Sequence, residues 1–252
     1  MVFATEIAAI TQKALKAAAR FYLLMKKFQV SLIIPTYNES KNIKVLIPEV
    51  EKTLKSISHE IIVVDDDSPD KTWHVASSFK SVRVIRRIGE RGLATAVIRG
   101  FKEAKGSVLG VMDADLSHPP EKLKELVQSL LTQQYDLAIG SRLVKGGAVE
   151  EWPFFRQLTS WGARLLARPL TPVKDIMSGF FFFRRGVIQG VELKPVGYKI
   201  LLEILVKGHY KCVLEVPYVF RNREVGESKL NSAEYWNYVK HLTRLYSWKL
   251  FR

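Results

Sequence analysis

The sequence predicts an α/β domain with a mostly parallel β-sheet flanked by helices on both faces. Short apolar runs recur along the chain, separated by segments of about a dozen residues with helical period. The clearest of these runs, Val108 to Met112, is continuous, as in strands buried on both faces. Strand and helix taking turns in this way gives parallel strands joined by helical crossovers. In chain order, the strand candidates are Val30 to Ile34, Glu60 to Val64, Val82 to Ile85, Ser107 to Met112 and Tyr135 to Ile139. After Gly140 the rhythm loosens. Residues Ser141 to Arg156 read as a long loop rich in Gly, Glu and Lys, of a length that is usually functional or mobile inside a compact domain. A helix follows from Arg156 to Ala167, then the run Phe180 to Phe183, which reads as a core strand rather than an aromatic cage. Tyr198 to Lys207 has helical spacing and Cys212 to Val216 is the last strand candidate.

A chain of 252 residues, 47% of them hydrophobic, can bury a large core, and fits one domain with attachments better than two equal domains. Its single cysteine, Cys212, excludes an internal disulfide and suits a reducing compartment. The five histidines lack paired zinc spacing, and no Gly-Xaa-Ser-Xaa-Gly nucleophile elbow occurs. No run approaches the roughly 18 apolar residues of a membrane span, and no secretory pattern opens the chain. The catalytic part is therefore expected in water. A net charge of +14 calls for anionic partners: nucleic acid, acidic lipid or phosphorylated substrates.

Both ends differ from the middle. Ile7, Ile10, Ala14, Ala17, Phe21, Leu24 and Phe28 line one face of an expected helix, flanked by Lys13, Lys16, Arg20 and Lys27. That is the pattern of an interfacial helix. Near the other end Tyr235, Trp236, Tyr238, Tyr246, Trp248 and Phe251 are interleaved with Lys240, Arg244, Lys249 and Arg252, which suits a lipid headgroup layer. The competing reading packs either helix on its own domain or on a partner protein. The resulting division is an amphipathic helix over 1–29, a catalytic domain over 30–229 and an interfacial helix over 230–252.

The ends of three strands carry the chemistry. Strand one runs into Pro35-Thr36-Tyr37-Asn38-Glu39-Ser40, and strand two into Asp65-Asp66-Asp67-Ser68-Pro69-Asp70. Within the second, Ser68 reads as an N-cap, Pro69 as the first helical residue and Asp70 as a complement to the helix dipole. Three carboxylates before that cap repel one another, so some should face a ligand or a cation. Strand four runs into Asp113-Ala114-Asp115-Leu116-Ser117-His118-Pro119-Pro120. Two carboxylates released at the carboxyl end of a parallel strand make a place for a hard divalent cation that also holds a diphosphate. Arg83, Arg86 and Arg87 read as a solvated strand end, and His118 as a helix-start residue rather than a base. Asp175 reads equally as a contact for sugar hydroxyls or as a surface-loop acid.

Taken together, Pro35 to Glu39, Val63 to Asp70, Gly92-Leu93 with Ala96 to Gly100, Asp113 to Pro120, Gly140-Ser141-Arg142, Trp152-Pro153-Phe154, Ser178-Gly179-Phe180 and Gly226 to Lys229 resemble, in order, the motifs of dolichyl-phosphate mannosyltransferases. Those are inverting family 2 glycosyltransferases of GT-A fold. The resemblance covers roughly Val30 to Arg244. Singly these motifs are weak; eight in register are strong. The resemblance implies a GT-A (Rossmann-like) sheet and transfer of mannose from GDP-mannose to dolichyl or another polyprenyl phosphate, with Mg2+ or Mn2+ on the diphosphate. It implies work at the cytoplasmic face of a membrane as a peripheral protein, with anchoring by the terminal helices or by partner subunits, and no nucleic acid.

Position by position, the resemblance places Pro35, Tyr37 and Glu39 around the guanosine with Val64 and Asp66. It sets Asp113 and Ala114 against the ribose and diphosphate, and makes Asp115 the principal metal ligand. Ser117 stands where some relatives carry glutamine, so it would reach the metal directly or through water. Arg142, Arg156 and Ser160 match positions that hold the acceptor phosphate, with Phe180 to Phe183 as a channel wall. Arg223 and Lys229 match a loop that closes over the donor, where Val225 replaces an arginine of some relatives. A phosphate acceptor is already anionic and needs steering more than a general base. Two readings compete: the same mechanism with another nucleotide sugar such as UDP-glucose, and a non-catalytic basic module binding nucleic acid or lipid.

Overall fold

The computed structural model describes residues 28–150, 154–194, 196–197, 199–220 and 232–251, with the side chains of 154–158 and 232–235 outside that description. The expected amino-terminal helix lies outside the described residues. A seven-stranded sheet forms the centre. Its first four strands are β1 (Val30–Thr36), β2 (His59–Asp65), β3 (Val82–Arg86) and β4 (Val108–Val111). The helices after the first three are α1 (Ser40–Leu54), α2 (Thr72–Ser77) and α3 (Leu93–Glu103). After β4 come α4 (Leu123–Leu131) and β5 (Leu137–Ser141). The chain continues through β6 (Ala148–Val149), α5 (Phe154–Ala167), β7 (Phe181–Arg184), α6 (Ile200–Lys207), β8 (Val213–Pro217), β9 (Val219–Phe220) and α7 (Ser232–Leu250).

The strand order is β3-β2-β1-β4-β7-β5-β8. The expected parallel pairing holds for β3, β2, β1 and β4, and again for β5 with β8. The tetraphenylalanine strand departs from it: β7 runs antiparallel to both neighbours. All four rings, Phe180 to Phe183, are buried. Phe180 and Phe182 face the layer of α1 and α4, while Phe181 and Phe183 face the layer that includes α3 and α6. Gly110 of β4 makes room for this, because a Cβ there would lie 2.0 Å from the Phe182 ring. The loop expected over Ser141 to Arg156 carries β6, which pairs with β9 in a separate two-stranded sheet.

The helices obey the period-3.6 logic of their sequences. Ile43, Leu46, Ile47, Val50 and Leu54 form the buried stripe of α1. On α2, however, the start differs from expectation. The helix begins at Thr72, not Pro69, because the Ser68 side chain is engaged elsewhere: it donates to Asp65 Oδ2 at 2.7 Å and accepts from the Asn38 amide at 3.0 Å. Asp70 instead caps the turn, accepting from the Thr72 amide at 3.0 Å and its hydroxyl at 2.6 Å.

In its described part, α7 packs into the core on one face of the sheet. Tyr238, His241, Leu242 and Leu245 are buried. The Tyr238 and Tyr246 hydroxyls donate to the Ala163 and Leu166 carbonyls of α5 at 2.5 and 2.6 Å, and Lys249 Nζ reaches the Pro169 carbonyl at 2.9 Å. These two hydroxyls therefore tie α7 to α5. Trp236, Val239, Leu250 and Phe251 remain exposed, as do Trp161, Leu165 and Leu166 of α5. Among the described residues, no helix is long and apolar enough to cross a membrane.

Candidate active site

The carboxyl ends of β1, β2 and β4 open onto one cavity of about 320 Å³, the place where parallel sheets present ligand sites. Pro35, Tyr37 and Glu39 line it from the β1 turn, Asp66 from the β2 turn, and Asp113, Ala114 and Asp115 from the β4 turn. Seven of the ten residues assigned to the donor through the resemblance thus converge. Val64 does not, since its side chain is fully buried in the core, and Arg223 and Lys229 lie outside the described residues. Arg91, Gly92, Leu93 and Ala96 complete the wall, and the Arg91 guanidinium lies 3.8 Å from the Tyr37 ring centroid. That stacked cation on an aromatic face had no signal in sequence beyond its nearness to Gly92.

The three consecutive acids separate into distinct tasks. Asp65 is structural, accepting from the Thr36 hydroxyl at 2.7 Å and from the amide and hydroxyl of Ser68. Asp67, at φ 52°, pairs with Arg86 at 2.5 Å near the surface. Asp66 faces Arg87: its Oδ1 accepts from Arg87 Nε at 2.7 Å and from Nη2, while its Oδ2 accepts from the Gly92 amide at 2.8 Å. Arg87 also donates to the Gly92 carbonyl and Thr95 Oγ1, both at 2.9 Å. The expectation of a solvated strand end therefore fails for Arg87, which is buried. Its neighbours Arg83 and Arg86 do reach solvent. The pair ties the start of α3 to the β2 turn, and Gly92 at φ 140° is the residue that permits the approach.

The β4 turn is fixed from both sides. Ser117 donates to Asp115 Oδ1 through its amide at 3.1 Å and its hydroxyl at 2.5 Å. Leu116 adopts φ 61° to make that turn. His118 is buried and stacks on Phe180 with centroids 5.1 Å apart. Its Nδ1 accepts from the Asp113 amide at 3.2 Å, which leaves the neutral ring its proton on Nε2, 3.8 Å from Asp113 Oδ2. Gly179 backs the Asp113 carboxylate, since a Cβ there would meet Oδ2 at 2.5 Å.

Next to this turn, at the end of β5, Arg142 is held by Asp175. Its Nε and Nη2 donate to the two Asp175 oxygens at 2.8 and 2.7 Å, and its amide donates to Oδ2 at 2.9 Å. Asp175 is therefore not a surface acid but a buried partner of Arg142, fixed through its amide by Glu215 Oε1 at 3.1 Å. The Ser141 hydroxyl donates to the same Glu215 oxygen at 2.8 Å. Burial works to lower the Arg142 pKa, but the hydrogen bonds and charge of Asp175, helped by Asp113, outweigh it and hold the guanidinium charged beyond its ordinary range. Burial pushes the neighbouring Tyr218 hydroxyl up, so it stays protonated. Ser160 is half-buried on α5, where its carbonyl accepts from Arg164 Nε at 3.2 Å. The Arg156 side chain, Arg223 and Lys229 lie outside the described residues.

A divalent metal fits the donor set. Asp113 and Asp115 offer hard carboxylate oxygens to one cavity, and among the described residues no cluster of three or more His, Cys, Asp or Glu could hold an ion by itself. Mg2+ and Mn2+ suit such a site, because one or two carboxylates suffice when substrate phosphates and water supply the remaining oxygens.

A switch-point cavity with paired carboxylates and a basic neighbour is an arrangement that suits transfer of a nucleotide-activated group. The model of "Glycosyl transferase family 2" matches residues 31–191. A dolichol-phosphate mannosyltransferase of Pyrococcus furiosus is 51% identical over 88% of the chain, and the chain spans 64% of that relative's length. The one of Saccharomyces cerevisiae is 38% identical, with 88% of each chain covered. An undecaprenyl-phosphate mannosyltransferase of Micrococcus luteus is 34% identical, covering 86% of this chain and 93% of its own. In fold, glucosyl-3-phosphoglycerate synthase of Mycobacterium tuberculosis, solved with Mn2+, UDP and glucosyl-3-phosphoglycerate, superposes with a TM-score of 0.67 at 20% identity, covering 88% of this chain and 80% of its own. The chain belongs to glycosyl transferase family 2, among the dolichol-phosphate mannosyltransferases.

Proposed function

We propose that the protein transfers mannose from GDP-mannose to the phosphate of dolichol or a related polyprenol, with inversion in a single displacement. The observation that carries this reading is the convergence of Asp66, Asp113 and Asp115 on one cavity beside the charged Arg142, in a chain whose relatives bear mannosyltransferase names. Tyr37, under Arg91, offers a stacking face for the base, and Asp66 an acceptor for its amino groups or for ribose hydroxyls. Asp113 and Asp115 would hold Mg2+ or Mn2+ on the diphosphate, where a bound cation offsets charge developing on the leaving nucleotide. Ser117 orients Asp115 through two hydrogen bonds and, in this reading, approaches the metal only through water.

The acceptor arrives already ionised, so no general base is needed. Arg142 stays charged and is fixed in direction by Asp175, and it steers the acceptor phosphate together with Arg156 and Ser160. Arg223 and Lys229 would close over the donor phosphates. The lipid chain requires work at a membrane surface, and the exposed Trp161, Leu165, Leu166 and Trp236 suit a peripheral position there, on the cytoplasmic side where nucleotide sugars are made. Anchoring by the terminal helices, or by partner subunits, completes this reading.

Turnover of GDP-mannose and UDP-glucose, compared with one polyprenyl phosphate, tests the donor. The account expects GDP-mannose to be preferred at least tenfold in kcat/KM; equal use, or preference for UDP-glucose, would replace the proposed donor.

A further inference from the structure

Among the described residues that line the donor cavity, Arg91 is the one cation, set among the carboxylates of Glu39, Asp66, Asp113 and Asp115. It is exposed and makes no hydrogen bond or ion pair among the described residues. Its guanidinium lies 3.8 Å from the Tyr37 ring centroid. The backbone beside it is fixed, because the Gly92 amide donates to Asp66 Oδ2 at 2.8 Å, while Arg87 donates to Asp66 Oδ1 and to the Gly92 carbonyl. Both Asp66 oxygens are thus engaged already. The turn holds the root of the Arg91 side chain in place and leaves its N–H donors unspent at the cavity wall.

Where Arg91 stands decides what those donors can take. The diphosphate is assigned to Asp113 and Asp115 of the β4 turn, and Tyr37, on which Arg91 lies, is the face assigned to the base. At 3.8 Å the guanidinium and the ring are in van der Waals contact, and no base fits between them. A base that stacks on Tyr37 takes the place of the guanidinium and moves it to the edge of the base. The exchange costs little, since a cation–π contact at an exposed site is weak. At that edge guanine carries two adjacent acceptors, O6 and N7, which match an arginine fork; adenine pairs its N7 with an amino donor, and uracil has a lone O4. The N1–H and N2–H groups of guanine in turn need acceptors, which Glu39 and Asp66 offer.

We propose that Arg91 is the residue that selects guanine: on donor entry it leaves the Tyr37 face and donates to O6 and N7 of the base. The proposal rests on the reading of this cavity as a GDP-mannose site, and its test separates the two.

Calorimetric titration of the full chain with nucleotides, Mg2+ present, provides that test. GDP is expected to bind about tenfold tighter than 7-deaza-GDP, in which C–H replaces N7 and one charge-assisted bond is lost. Arg91→Met should keep its unfolding midpoint, because the position is exposed and unbonded. Its GDP binding should weaken about tenfold or more, and its preference for GDP over 7-deaza-GDP should vanish. Arg91→Lys, which can still donate to both atoms, should keep part of that preference. The preference of the unaltered chain for GDP over UDP should shrink in Arg91→Met. Equal binding of GDP and 7-deaza-GDP by the unaltered chain would overturn the role of Arg91, as would undiminished preferences in folded Arg91→Met. Tighter GDP binding by Arg91→Met would also overturn it, the guanidinium then only blocking the base. In each of these cases the GDP reading stands. A preference of the unaltered chain for UDP, or no nucleotide bound at millimolar concentration, would sink that reading and the proposal with it.

Discussion

Replacing Arg87 by methionine removes the charge that faces Asp66 while keeping most of the side-chain length. The two side chains are 1% and 7% exposed, so the abandoned carboxylate cannot recover its hydration. Breaking one partner of a buried, hydrogen-bonded pair costs about 3–5 kcal/mol. The lost bonds to Thr95 Oγ1 and the Gly92 carbonyl belong to the same removal. The contact with Glu90, whose side chain is 62% exposed, should add almost nothing. One residue earlier stands a natural control: Arg86 and Asp67 form an ion pair with side chains 41% and 35% exposed. Arg86→Met should therefore cost no more than about 1 kcal/mol. Urea unfolding followed by fluorescence measures both. The double variant Arg87→Met/Asp66→Asn should be markedly more stable than additivity predicts, since the buried charge is gone. Equal costs for Arg86→Met and Arg87→Met, or additive behaviour of the double variant, would refute the argument from burial.

Other consequences can be checked in the same way. Gly179→Ala forces a Cβ against the Asp113 carboxylate, so transfer should fall at least tenfold while unfolding free energy changes little; steady-state kinetics beside urea melts will tell. Gly110→Ala meets the Phe182 ring and should destabilise by roughly 1–3 kcal/mol through overpacking, part of which Phe182→Leu should restore. His241 has a folded pKa below its ordinary 6.5, so the unfolded chain binds the proton more readily. Its contribution is present above about pH 6.5 and is lost as pH falls towards the folded value; the urea midpoint should drop over that window, and the drop should shrink in His241→Leu.

Much of this was legible from sequence because the relevant signals are local. Short apolar runs such as Val108 to Met112, bounded by turn residues, read as buried strands, and the acids after them fall at the carboxyl ends by chain direction alone. Direction itself is not encoded in a run of apolar residues, so the antiparallel course of Phe181–Arg184 could not be read from it. Arg87 resembles Arg83 and Arg86 in sequence; its burial is set by Asp66, twenty-one residues away. Ser68-Pro69 carries a genuine helix-start signal, which lost to the competing hydrogen bond from Ser68 to Asp65. Asp175 and Glu215 had no local signature, because their function is to hold Arg142 and each other across the ends of β5 and β8.

The central claim is transfer of a sugar from a site organised by Asp115. Its most direct test is the transfer of labelled mannose from GDP-mannose to dolichyl phosphate, with and without Mg2+ or Mn2+, for the unaltered chain and for Asp115→Ala. The account predicts a metal-dependent lipid-linked product that disappears in the variant although the variant remains folded. Product formation that is indifferent to the metal, or undiminished in folded Asp115→Ala, would contradict it.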